Sequence, residues 1–274
     1  MDEIGFDNVT RLCRLKDREL IWAEIDRIAH EFGVKGIQFT PTVYEQTLGL
    51  SLREIPEAFR KYRLTYHIGG IWPLASPRDG EQLEALLREG VSIAYENRME
   101  DVSLHPPRLA YDGDGERASV RSAFSDVLAR WLPRYSDHGV SLSVESHVSG
   151  EFFVFDGLVD FSDFVGDLPE LGVLIDISHL WNDGYDIDEV ISAFEGCRVT
   201  GLHLGDALAN EELDRGTHLP IGKGKVDFAR FMSRFADDDS VYGALEIKGL
   251  SSNIVDSAGK LLKYLGADRP SSKG

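Results

Sequence analysis

The sequence predicts a single (β/α)8 barrel over residues 1–268, followed by a loose tail at 269–274. Three observations predict it. Short apolar, β-branched runs alternate with longer amphipathic stretches along the whole chain. The 274-residue length suits one such barrel, and no Pro/Gly/Ser-rich linker or charge block divides it. Six of the apolar runs end in a histidine or an acid, as strands converging on one face of a barrel would.

The elements follow in order. Ile4-Gly-Phe is read as the first strand. A helix over 17–32 places Ile21, Ile25, Ile28 and Phe32 on one face, and Gly33 sits where a helix end favours glycine. The run 34–40 is the second strand, and Leu52, Ile55, Phe59 and Tyr62 mark a helix. The third strand ends at His67, and the next helix carries Leu83, Leu86, Leu87 and Val91. The fourth ends at His105, where Pro106 and Pro107 stop it. A long helix then turns Val120, Phe124, Val127, Leu128, Trp131 and Leu132 inward. The fifth strand ends at Glu145, the sixth at Asp176, the seventh at His203 and the eighth at Glu246. A last helix is marked by Ile254, Ala258, Leu261, Leu262 and Leu265.

Composition limits the partners. The chain has 47 acidic against 29 basic residues, a formal net charge of -18. Such a surface repels phosphate backbones, so nucleic acid is not the expected partner. Two cysteines, Cys13 and Cys197, make no disulfide framework. The N-terminal Met-Asp-Glu-Ile-Gly has no basic region and no long apolar run, and no stretch approaches membrane-spanning length. The expectation is a cytoplasmic protein with a small-molecule partner, compatible with a homo-oligomer.

The strand ends define a candidate site. His67, His105, Glu145, Asp176, His203 and Glu246 would all meet at the C-terminal face, with His179 and His218 in loops above it. A carboxylate inside an apolar run is costly to bury uncompensated, and a metal ion is one way to satisfy it. A lone strand-end histidine is usually a hydrogen-bonded rim residue, but independent rim residues would not repeatedly be His, Asp or Glu. His30 and His138 fall on helices away from this face, and His147 is ambiguous. Trp72, Phe152, Phe153, Trp181 and Tyr185 follow strand ends and are candidate pocket walls. Gly222-Lys-Gly-Lys offers backbone amides for a phosphate.

The motifs Tyr-His at His67, Leu-His-Pro at His105, Val-Glu-Ser at Glu145 and Asp-Ile-Ser-His-Leu at Asp176 and His179 point to a family. So do His-Leu-Gly-Asp at His203, His-Leu-Pro-Ile-Gly-Lys-Gly at His218 and Leu-Glu-Ile at Glu246. In order and spacing they resemble the xylose isomerase-like TIM barrel superfamily, which includes sugar isomerases, sugar epimerases and endonuclease IV. The isomerase resemblance implies one divalent metal, Mn or Mg with Zn or Co as alternatives, on Glu145, Asp176, His203 and Glu246. It implies Glu145 and Glu246 as the catalytic acid/base pair for enolisation of a sugar, sugar acid or cyclic polyol. His67, His105, His179, Arg215, Trp72 and Trp181 become the substrate contacts. A dehydratase or lyase using the same enolisation is a close variant.

The endonuclease IV resemblance implies up to three Zn ions and cleavage of abasic DNA. There His67, His105 and Glu145 would hold one ion. Glu145, Asp176, His203 and Glu246 would hold a second, and His179 and His218 a third. This chain departs from that pattern. Gly216 stands where the third ion's aspartate belongs, and the early Gly-Ala-His-Val-Ser signature is absent. A barrel that binds a ligand without catalysis is the remaining alternative.

Overall fold

A computed structural model describes residues 17–31, 33–69, 74, 76–109, 114–147, 153–248 and 251–264. Helix α1 (Arg18–Glu31) leads into strand β1 (Gly36–Phe39), and β2 (Arg63–Ile68) follows after three short helical segments, the first of them Thr42–Thr47. Then come α2 (Pro77–Asn97), β3 (Asp101–Leu104), α3 (Asp114–Asp137), β4 (Ser141–Glu145), α4 (Leu158–Gly166) and β5 (Gly172–Asp176). The short helices α5 (Ile177–Asn182) and α6 (Ile187–Ala193) precede β6 (Arg198–Leu204). After it come α7 (Leu213–Gly216), α8 (Phe228–Ser233), β7 (Tyr242–Leu245) and α9 (Ser251–Tyr264). The strand expected at Ile4-Gly-Phe lies outside the described residues, as do Cys13, Phe32, Trp72, Phe152 and Leu265.

The seven strands are parallel and paired in chain order, each to the next. The sheet curls into a barrel. Strands β1 and β6 are five positions apart, about 24 Å in a flat sheet. Yet Gln38 on β1 and His203 on β6 are hydrogen-bonded at 2.9 Å. Likewise Tyr242 on β7 donates to Asp101 on β3 at 3.0 Å.

Every residue of β1, β3 and β5 is buried, because helices cover the outside and side chains fill the inside. The inward positions form polar layers. Asp101, Ser143, Thr200 and Tyr242 share a buried hydrogen-bond network nearer the strand starts. Gly201 is paired with Tyr242, and a Cβ there would overlap the Tyr242 ring, so only glycine lets that ring lie across β6. Above this layer the two-residue period brings Ser103 and then His105 inward along β3, and Glu145 along β4.

One expected helix is different. The stretch marked by Leu52, Ile55, Phe59 and Tyr62 is two short turns, Leu52–Glu54 and Glu57–Lys61. Ile55 between them is extended, at φ -64 and ψ 125. Pro56 follows it, and a residue before proline is pushed out of the helical region. The turns still bury Leu52 and Phe59, which explains the helix-like spacing. No helix among the described residues is long and apolar enough to cross a membrane.

Candidate metal centre

His203 is the pivot of the site. Its Nε2 lies 2.9 Å from the Gln38 side-chain carbonyl, which only accepts, so Nε2 carries the proton. Nδ1 is the nitrogen left for a metal or a second proton. It faces three carboxylates: Glu246 Oε2 at 2.7 Å, Glu145 Oε2 at 3.5 Å and Asp176 Oδ2 at 3.8 Å. Strand register sets Asp176 directly beside His203. One ligand atom from each of Glu145, Asp176, His203 and Glu246 lies within 4.8 Å of all the others.

The centre fits a cation. Glu145 Oε2, Asp176 Oδ2 and His203 Nδ1 are all buried without a hydrogen-bond partner of sound geometry. Buried unpaired polar atoms are costly, and these converge on one point. Charge tells the same story. Burial pushes the Asp176 carboxyl up to about 6, and the nearby Glu246 and Glu145 charges add to this against His218. Burial also opposes the Glu145 charge, yet His105 and His203 hold that carboxyl well below the usual range. Burial opposes a charged His203, but Glu246 and Glu145 hold it well above the ordinary histidine value. Without a metal, a proton is the positive charge that keeps these carboxylates together.

Two histidine pairs flank this centre. His67 Nε2 and His105 Nε2 are 3.2 Å apart, and they lie 3.5 Å and 3.1 Å from Glu145 Oε2. Ser103 Oγ holds His67 Nδ1 at 2.9 Å, which directs Nε2 at the cluster. Burial pushes His67 down to about 3, so it is neutral at physiological pH. On the other side His179 Nε2 and His218 Nε2 are 3.1 Å apart, with Asp176 Oδ2 3.8 Å from His179. His218 sits at φ 53, a left-handed conformation held by its amide donating to Ser178 Oγ at 2.7 Å.

Eight of the sequence-derived residues therefore meet at one place: His67, His105, Glu145, Asp176, His179, His203, His218 and Glu246. Others do not. Arg215 on α7 has an 80 % exposed side chain and pairs only with Glu212, at 3.6 Å, among the described residues. Trp181 on α5 is half-buried and packs against the core. Tyr185 accepts from the amide of Leu158 at 3.1 Å and caps α4. Phe153 does reach the site, stacked on His147 with ring centroids 4.5 Å apart.

The Gly222-Lys-Gly-Lys loop is not a phosphate cradle here. The Asp206 carboxylate takes the amides of Gly222, Gly224 and Val226 at 2.7, 2.8 and 3.1 Å. The loop's anion is thus a side chain of the protein. Gln38, Ser103 and Ser178 are the positioning residues that sequence reasoning missed. Gln38 had one visible signal, a polar residue in the middle of an apolar strand.

A parallel barrel whose strand ends enclose a cation-sized gap among carboxylates and imidazoles defines the class. The chain belongs to the xylose isomerase-like TIM barrel family, whose model matches residues 27–264. Among solved structures it is similar to a D-tagatose 3-epimerase-like protein, at 19 % identity and a TM-score of 0.71, covering 85 % of this chain and 88 % of that one. It is similar to the IOLI protein with a bound zinc atom, at 13 % identity and 0.72, covering 88 % and 91 %. Endonuclease IV from Thermus thermophilus matches at 20 % and 0.61, covering 90 % and 95 %. At these identities the likeness shows the fold alone. A comparison with curated proteins gives no match.

Proposed function

We propose that this chain is a divalent-metal-dependent isomerase or epimerase that acts on a sugar, sugar acid or cyclic polyol by enolisation. One observation carries the reading: the converging, unpaired donor atoms of Glu145, Asp176 and His203 beside Glu246. A bound divalent ion supplies positive charge against a carbonyl oxygen as negative charge develops there. Glu145 and Glu246 are the proton carriers. Burial opposes both charges, but His105 and His203 hold Glu145 ionised, and His218 and His203 hold Glu246 ionised. Each can therefore accept a proton at neutral pH, one taking it from carbon and the other returning it. Glu246, 27 % exposed against 2 % for Glu145, is the one nearer to solvent and to an incoming substrate.

His67, His105 and His179 are the proposed contacts for substrate hydroxyls. Trp72 is a proposed wall. The acidic surface suits a small neutral or weakly charged substrate in the cytoplasm better than DNA. The barrel is proposed to span 1–268.

An endonuclease IV-like phosphodiesterase is the second reading. It is favoured by the paired His67–His105 and His179–His218 nitrogens, which resemble sites for further zinc ions. It is opposed by Gly216 and by the charge balance. Metal content by mass spectrometry, on protein purified without chelator or metal-binding tag, separates the readings. Manganese or magnesium, followed by turnover in a sugar screen, supports the isomerase. Three zinc ions with cleavage of abasic DNA overturn it. No metal, and none taken up on titration, removes both.

A further inference from the structure

One buried histidine has no part in the roles above. We propose that His147 completes a second divalent-cation site with His105 and Glu145, beside the one formed by Glu145, Asp176, His203 and Glu246. The proposal rests on the metal-centre reading and extends it to a residue outside the four-ligand set.

His147 lies two residues beyond Glu145, the last residue of β4. Its amide donates to the Glu145 carbonyl at 2.8 Å, a tight turn that keeps the side chain over the strand end. The ring is only 6 % exposed. Both ring nitrogens are buried and neither has a hydrogen-bond partner. A buried polar atom left unpaired is costly. A histidine used only for packing would keep at least one nitrogen satisfied.

The surroundings fix the direction of those nitrogens. His147 lies between Phe153, at 4.5 Å and 26° between planes, and His179, at 4.1 Å and 23°. Stacking covers the faces of an imidazole and leaves its edge open. Metal bonds to imidazole lie in the ring plane, so this stack orients the donor without blocking it. The His105 ring stands nearly perpendicular, at 5.5 Å and 80°. One donor atom from each of His105, Glu145 and His147 lies within 4.8 Å of the other two.

Two imidazoles and one carboxylate form a three-ligand set of the kind that zinc and cobalt accept more readily than magnesium or calcium. Glu145 belongs to both ligand sets, so its carboxylate would bridge the two ions.

Cobalt(II) titration of the metal-free full-length chain tests this. Bound metal is counted by mass spectrometry after gel filtration, and ligand field is read from the visible spectrum. The wild type is expected to saturate at two equivalents. His147→Phe, which keeps the stack and removes both nitrogens, is expected to saturate at one. His147→Gln is measured alongside in case the first variant does not fold, and is expected to lose the same equivalent. A wild type that saturates at one ion, or equal counts in wild type and variants, overturns the proposal while leaving the first site intact. A wild type that takes up no cobalt fails the proposed function as well.

Discussion

Gln38 Oε1 accepts from His203 Nε2 at 2.9 Å and so joins β1 to β6 across the barrel. The bond fixes which imidazole nitrogen keeps its lone pair. A ligand histidine held by such a partner is oriented and more basic toward the metal. Gln38→Ala should therefore weaken divalent-metal affinity by roughly 10–100-fold. Competition with a fluorescent chelator measures it. Unchanged affinity would mean that packing alone orients His203.

Glu246 should matter for turnover more than for folding. It lies at the end of β7 with a half-buried side chain, and its carboxylate is 2.7 Å from His203 Nδ1. Glu246→Gln keeps the shape and removes the basic oxygen. Turnover on the substrate found by a sugar screen should fall by roughly 10²–10⁴-fold, the usual contribution of a positioned general base. Circular dichroism should be unchanged. Retained turnover removes Glu246 from the mechanism.

The strand ends were readable because six of the apolar runs close on a His, Asp or Glu, and a parallel barrel gathers strand ends whatever the loops do. His67, His203 and Glu246 came from that logic. Gln38 did not, because its value lies in a partner 165 residues away. The Gly222-Lys-Gly-Lys loop misled for the same reason. Its amides read as free for a phosphate, yet the Asp206 carboxylate takes them. Pro56 was visible, but the regular spacing of Leu52, Ile55 and Phe59 masked its effect on Ile55. Arg215 follows strand β6 in sequence, and sequence position alone could not show that α7 turns it to solvent.

Asp101 sets a pH dependence far from the metal ligands. Burial raises its carboxyl to about 6, against hydrogen bonds from Ser143 and Tyr242. Below the unfolded value of 3.8 the group is protonated in both states and costs nothing. Between 3.8 and about 6 the unfolded chain ionises first, so folding stability falls as pH rises. The loss is complete above the folded value and amounts to about 3 kcal/mol at about 1.4 kcal/mol per pKa unit. Asp101→Asn cannot ionise, and the Ser143 or Tyr242 hydroxyl can turn to accept from its amide. Urea unfolding of wild type and variant between pH 3 and 7 should show the wild type losing about 3 kcal/mol more. Parallel profiles would place the Asp101 titration outside this range.

Gly216 separates this chain from a three-zinc site, and the barrier to restoring one is steric. A Cβ at Gly216 would overlap Asn182 Nδ2 and lie 2.7 Å from Glu211 Cβ. Asn182 is not free to yield. It is buried, and its amide donates to the Leu208 and Glu211 carbonyls at 2.7 and 3.2 Å, tying α5 to the loop after β6. Displacing it breaks two buried hydrogen bonds, worth about 1 kcal/mol each. Gly216→Asp should therefore lower thermal stability, leave zinc content unchanged and confer no cleavage of abasic DNA at physiological salt. An extra zinc ion per chain with an unaltered melting temperature would show that Asn182 moves aside. In that case the His179–His218 pair would be a metal site lacking only its carboxylate, and the phosphodiesterase reading would regain its ground.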